Sequence, residues 1–111
     1  MWVAAVDDSG DVLGWVILNR AKDGRDATIE DLWVVESRRQ NGVGAALMEE
    51  AERIARAAGE RTLRLGVNPT ESKPAARLYE RLGYSYDGGA AYLDGVYDGF
   101  EDWVVDMHKS L

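Results

Sequence analysis

The chain has 111 residues, a length typical of one domain that can bury its own hydrophobic core. Thirteen lysines and arginines against twenty aspartates and glutamates give a net charge of −7, which argues against nucleic-acid binding, because phosphate contact favours a basic face. The absence of cysteine excludes disulfides and thiolate metal sites, and no apolar run approaches the roughly 18 residues of a membrane span. We expect one cytoplasmic domain over residues 1–111, with no nucleic-acid or membrane partner.

The first half of the chain predicts a β-hairpin, a third strand and a helix. Apolar runs at 2–6 and 12–18 flank the turn-forming cluster DDSGD. Residues 27–35, ATIEDLWVV, mix β-branched and aromatic side chains in the manner of a strand. The period then changes to the steps of three and four that a helix on a sheet requires, and Gly59 can end this helix. Its predicted buried stripe is Val43, Leu47, Ala51, Ile54 and Ala58.

The second half predicts a strand, a second helix and two closing strands. The strand 61–67, RTLRLGV, carries Leu63, Leu65 and Val67 on one face. The helix 72–83 begins at Ser72, a capping residue, and can end at Gly83. We expect its buried stripe to be Ala75, Leu78 and Leu82, with Tyr79 one step off that stripe. Strands at 84–88 and 102–109 follow, separated by a loop at 89–101.

The segment beyond the second helix is acidic. A cationic small molecule would be attracted to its carboxylates, which are Asp87, Asp94, Asp98, Glu101 and Asp102. The lone histidine, His108, makes a poor metal site without cysteine partners, so we expect no metal.

Two glycines, Gly42 and Gly44, stand where the first helix should begin, although glycine costs roughly 1 kcal/mol per helical site relative to alanine. A bound anion would compensate, because a helix start offers unpaired N–H groups and a positive dipole, to which Arg39 adds charge. The turn lacks the Gly-Lys-Ser/Thr ending of a nucleotide P-loop and the third glycine of the dinucleotide fingerprint. A pyrophosphate site of another kind is therefore predicted, and a tight turn without a ligand is the alternative.

The pattern Arg39-x-x-Gly42-x-Gly44 after a strand, followed by Asn68 and then PAARLYERLGY, resembles the GCN5-related N-acetyltransferase (GNAT) superfamily. The family's loop pattern Q/R-x-x-G-x-G/A is matched in the turn. The pattern of its next helix is matched at Ala75, Leu78, Tyr79, Gly83 and Tyr84. The resemblance runs from the first hairpin to the end of the chain. It implies an α/β fold with a mixed, mostly antiparallel sheet flanked by helices, without the family's usual first strand and first two helices.

The resemblance also implies an activity, the transfer of an acetyl group from acetyl-CoA to a primary amine of a small acceptor, and the acidic segment favours a cationic one. Glu30 would accept the amine proton and Tyr79 would protonate the departing thiolate. A surface charge is the alternative for Glu30, and Asp31 competes for its role, one residue away on the opposite face of an unbulged strand. Packing is the alternative for Tyr79, and turn formation before Pro69 for Asn68. The residues expected to contact coenzyme A are Leu32, Trp33, Val34, Arg39, Gln40, Asn41, Gly42, Val43, Gly44, Ala45 and Asn68.

Two other functions remain open. The chain could be a non-catalytic acyl-CoA-binding module, or a structural partner whose missing elements come from another chain. Those missing elements would leave apolar sheet surface or an unpaired strand edge near residues 2–18. We therefore expect a homodimer.

Overall fold

The computed structural model describes all 111 residues, Met1–Leu111. Seven strands, two α-helices and a short 3₁₀ turn form the α/β fold that was expected, with a mixed, mostly antiparallel sheet. Neither helix has the length and apolar character needed to traverse a lipid bilayer. The chain divides into two compact units, the first Met1–Leu63 with Ser110–Leu111 and the second Arg64–Lys109. That residues 1–111 form one domain remains our proposal.

The first unit follows the predicted order closely. Strand β1 pairs with β2 and β2 with β3, both antiparallel, which confirms the hairpin and the third strand. A 3₁₀ turn and the glycine turn then lead into the first helix. The elements are β1 (Trp2–Val6), β2 (Val12–Asn19), β3 (Ala27–Val34), the 3₁₀ turn (Glu36–Arg38), α1 (Val43–Ala57) and the start of β4 (Thr62–Val67).

Helix α1 packs on the sheet formed by β1, β2 and β3. A Cβ added to Gly14 of β2 would lie 3.2 Å from Leu47 of α1 and 2.5 Å from the Trp33 carbonyl oxygen, so only glycine permits this close approach. The predicted stripe is shifted, because Val43, Ile54 and Ala58 are only half-buried and line the border of the contact. The buried residues of α1 are Leu47, Met48, Ala51, Glu52 and Ala55.

The second unit is built around its longest strand. Strand β7 pairs antiparallel with β5 and with β6, and β4 is its other neighbour. The alternation predicted for β4 is confirmed, because Leu63, Leu65 and Val67 are buried. The elements that complete the chain are α2 (Lys73–Arg81), β5 (Ser85–Tyr86), β6 (Tyr92–Tyr97) and β7 (Phe100–Ser110).

The predicted loop at 89–101 is wrong, since most of it is a β-hairpin. Strands β6 and β7 are joined by a two-residue turn, in which Asp98 has φ 52° and Gly99 has φ 77°. Turns with two positive φ angles match the twist of a hairpin and favour Asp-Gly. The Asp-Gly pair between apolar residues was therefore the signal that could have identified the hairpin.

Candidate active site

The glycine turn leaves an uncapped helix start. Gly42 occupies the N-cap position with φ 84°, a left-handed conformation that glycine adopts at little cost. The first helical hydrogen bond runs from the Ala46 N–H to the Gly42 carbonyl oxygen, at 3.0 Å. The N–H groups of Val43, Gly44 and Ala45 therefore precede the helical ladder. No side chain caps them and no acidic residue lies in the first turn, so this helix start suits an anion.

Arg39 is held beside this turn by the end of β3. Its Nε donates a hydrogen bond to the Val34 carbonyl oxygen at 3.0 Å, and the side chain is exposed. Gln40, with φ 66°, and Asn41 complete the turn and are exposed as well. The guanidinium adds positive charge to a segment that already presents backbone donors.

Strand β3 contains a bulge at Asp31, which corrects the assumption of an unbulged strand. Trp33 pairs with Trp15 and Glu30 with Ile17, so Asp31 and Leu32 together face the single residue between those partners. Asp31 has φ 50°, a left-handed conformation that aspartate tolerates better than most residues. The alternation of faces is therefore interrupted at this point.

The bulge brings Glu30 and Trp33 to one face of the sheet. Gly14 approaches α1, so its neighbour Trp15, and Ile17 two residues on, face the other way. Glu30 and Trp33, paired with these residues, share that face away from α1. In a regular strand, residues three positions apart would lie on opposite faces.

Three indoles lie on this same face. The rings of Trp15 and Trp33 are stacked with centroids 4.4 Å apart, and Trp2 meets Trp15 at 5.9 Å with tilted planes. Trp33 is 37% exposed and Glu30 is also exposed. An open indole face beside a carboxylate attracts organic cations. The sequence analysis missed this cluster, because strand pairing brings its members together.

In the second unit, Asn68 organises the turn between β4 and α2. Its Oδ1 accepts hydrogen bonds from the backbone N–H groups of Thr70 and Glu71, at 3.1 and 3.0 Å. Its Nδ2 donates to Asp102 of β7 at 2.9 Å. Ser72 occupies the helix N-cap but makes no capping side-chain hydrogen bond. Asn68 is therefore a turn former in the structure, and these bonds use one of its two Nδ2 hydrogens.

Tyr79 lies on the buried face of α2, so its predicted position off the stripe is wrong. It is 7% exposed, and its ring meets Tyr84 edge-on at 6.0 Å. Ala75, Leu78 and Leu82 are only half-buried, because the contact is centred on Ala76 and Tyr79 instead. Burial raises the pKa of Tyr79 to about 12, since the phenolate would lose its hydration, and the hydroxyl stays protonated at neutral pH.

The hairpin contributes a second tyrosine, Tyr92, whose hydroxyl is hydrogen-bonded. The Tyr92 hydroxyl donates a hydrogen bond to Asp106 Oδ1 at 2.7 Å. Burial and that carboxylate raise the pKa of Tyr92.

Elsewhere on β7, His108 is half-buried, and its Nδ1 is buried without a hydrogen-bond partner. The structure contains no group of three His, Cys, Asp or Glu side chains placed to hold a metal.

Residues 1–84 match the Acetyltransferase (GNAT) family. The streptothricin acetyltransferase of Streptomyces lavendulae is 33% identical over 84 residues, which are 76% of this chain and 44% of that protein. The chain spans about half the length of the curated relatives that it matches.

Solved structures show the same fold. Nourseothricin acetyltransferase superimposes with a TM-score of 0.82 at 30% identity, covering 98% of this chain and 64% of that one. An aminoglycoside 6′-N-acetyltransferase complexed with coenzyme A gives a TM-score of 0.74 at 22% identity, covering 98% and 71%, and shows the fold alone. Because the family match spans well over half of the residues, the chain belongs to the acetyltransferase (GNAT) family.

Proposed function

We propose that this protein is a cytoplasmic, acetyl-CoA-dependent N-acetyltransferase that acetylates a primary amine of a small, cationic acceptor. The observation that carries the proposal is the uncapped start of α1, where three backbone donors meet no acidic side chain. Membership of the GNAT family supports the activity. Two relatives are named as acetyltransferases of streptothricin and nourseothricin, which supports a small-molecule acceptor.

In this proposal the pyrophosphate of coenzyme A binds at the turn 39–45. The N–H groups of Val43, Gly44 and Ala45 donate to it, and the Arg39 guanidinium balances its charge. Gln40, Asn41 and Gly42 supply the backbone that shapes the turn. The backbone of Leu32, Trp33 and Val34 pairs with the pantetheine arm in the way that a strand pairs with a neighbour, and Asn68 contributes its remaining amide hydrogen.

Replacing Gly44 with valine tests the proposed pyrophosphate site at the turn 39–45. It does not strain the backbone, because Gly44 is not among the glycines with positive φ. The added side chain crowds the amides, so we expect coenzyme A to bind at least about tenfold more weakly in calorimetry. Gly89→Val is the matched control, since Gly89 is exposed and its φ is also ordinary. Unchanged affinity in folded Gly44→Val would place the pyrophosphate elsewhere.

Glu30 is the proposed base. The acceptor amine must lose a proton before or during attack on the thioester, and the exposed Glu30 carboxylate can take it directly or through water. The indoles of Trp15 and Trp33 on the same face can hold an ammonium group until it reacts. Asp31 remains the alternative base, because the bulge turns its backbone away from the regular alternation.

Tyr79 is the proposed acid. A phenol with a pKa of about 12 is a much weaker acid than a thiol, whose ordinary pKa is about 8.5. Complete proton transfer to the departing thiolate is therefore uphill. The hydroxyl instead donates a hydrogen bond to the sulfur as negative charge collects there, which stabilises the transition state.

Tyr79→Phe keeps the ring and removes the hydroxyl. We expect kcat to fall at least about 100-fold while coenzyme A affinity stays nearly unchanged. Glu30→Gln is the comparison, because loss of a base should be partly relieved at high pH, where free amine is abundant, and loss of the acid should not. Wild-type turnover in folded Tyr79→Phe would remove Tyr79 from the mechanism.

The acceptor class can be tested by release of coenzyme A thiol with a panel of amines. We expect polycationic amines to give higher kcat/KM than neutral or anionic ones, with an advantage that shrinks as salt screens the net charge of −7. Preference for anionic amines would contradict the cationic acceptor. Binding of acetyl-CoA without turnover of any amine would support the non-catalytic binding module instead.

We also propose a homodimer formed through β1. This strand begins the strand order, and its Trp2 and Val6 are 65% and 59% exposed, so its edge offers unpaired backbone groups beside apolar side chains. Sedimentation at micromolar concentration should give about twice the chain mass of 12.3 kDa, and Trp2→Lys should shift the protein toward monomer. A single 12.3 kDa species in the unaltered protein would exclude the dimer.

A further inference from the structure

The second unit contains an open groove of about 280 Å³ between the turn after β4 and one face of β7. Glu101, Trp103 and Val105 line it from β7, and because they alternate along the strand they lie on the same face. Thr70 and Glu71 line the opposite wall. The volume is just below the range of roughly 300 to 1,000 Å³ for drug-sized ligands, so the groove suits a small molecule or one arm of a larger one.

The lining of the groove combines aromatic rings with negative charge. Trp103 is 48% exposed and lies on the face of β7 that lines the groove, so its ring is available to a ligand; Phe100, which also lines the groove, is 47% exposed. Glu71 and Glu101 are both exposed carboxylates in the lining, which contains no lysine, arginine or histidine. An anion would be repelled, whereas a cation with a hydrocarbon part would satisfy both the carboxylates and the rings.

One side chain ties the two walls of the groove together. Asn68 accepts hydrogen bonds from the N–H groups of Thr70 and Glu71, and it donates one to Asp102, which lies between Glu101 and Trp103 on β7. The wall that carries Glu71 is therefore fixed to the strand that carries the ring. A groove formed in advance binds a ligand without the entropic cost of ordering its walls.

We propose that this groove is a binding site for a small primary alkylammonium ion. The ammonium group lies at the carboxylates of Glu71 and Glu101, and the alkyl carbons lie against Trp103 and Val105. None of these four side chains is among the residues proposed to contact coenzyme A, so the binding requires no bound acetyl-CoA, although Asn68 belongs both to the groove and to the proposed coenzyme A site.

The test is a titration of the full chain with hexylamine at neutral pH, without acetyl-CoA, followed through the NMR signals of the indole N–H groups. Trp103→Phe identifies the signal of Trp103. We expect that signal to shift and saturate with a Kd on the order of 1 mM. Hexanoate and hexanol, of equal chain length, supply the opposite charge and no charge, and should shift it little.

Carboxamide variants show whether the charge of the groove is responsible. Glu71→Gln and Glu101→Gln preserve side-chain shape, and each should weaken hexylamine binding by about threefold to tenfold. Glu80→Gln is the matched control, because it removes the same charge from an exposed position of α2 outside the groove. Trp103→Leu should also weaken binding, since it removes the aromatic face and keeps an apolar side chain.

Three results would overturn the proposal. They are equal binding of hexanoate, unchanged affinity in both carboxamide variants, and shifts at the other indoles with none at Trp103. Because the titration contains no acetyl-CoA, absence of acetyl transfer would leave this site intact. Conversely, failure of hexylamine to bind here would leave the proposed acetyl transfer standing.

Discussion

The left-handed backbone conformation of Gly42 is the constraint on which the rest of this structure depends. Gly42 is the N-cap of α1 and ends the turn that connects β3 and the 3₁₀ turn to that helix. The helix then buries Leu47, Met48 and Ala51 against the strands that precede it. The first amides of α1 also have no side-chain caps, so the helix that packs on the sheet begins at the turn where we propose that the pyrophosphate binds.

The bulge in β3 has a comparable double effect. One extra residue would destroy the match between the apolar face and α1 if the strand stayed regular, because a slip of one residue exchanges the faces. Here Ile29 and Val34 both lie on the face of the sheet toward α1, because the bulge between them restores the register. The inserted residue is absorbed at Asp31, where the backbone leaves the ladder. A carboxylate and an indole three positions apart are thereby placed on one face, which a regular strand does not allow.

The sequence predicted most of the first unit and less of the second, for physical reasons. Alternation identified β4 and helical periodicity identified α1, because each of those segments buries one face. Strands β1, β2 and β3 were identified from their apolar and β-branched residues. Strand β6 was missed because its side chains are mostly exposed, so apolar and polar residues show no clear alternation there, although Asp98-Gly99 marked the hairpin turn. The strand predicted at 102–109 is most of β7. The bulge at Asp31 has no composition signal. Tyr79 was misplaced because which face of a short helix is buried depends on what packs against it, and Tyr84 is its partner.

The motif residues of the candidate site could be identified by their spacing, whereas their environments could not. Spacing located the turn at 39–44 and the helix that carries Tyr79, but it contained no information on the raised pKa of that phenol.

The close approach at Gly14 shows how such environments restrict sequence change over evolutionary time. A single methyl group at position 14 would clash with the backbone of Trp33 and would also crowd Leu47 of α1. Substitutions at position 14 should therefore persist only with compensating changes near Leu47 and near Trp33. We expect this position to change more slowly during evolution than its lack of a side chain would suggest.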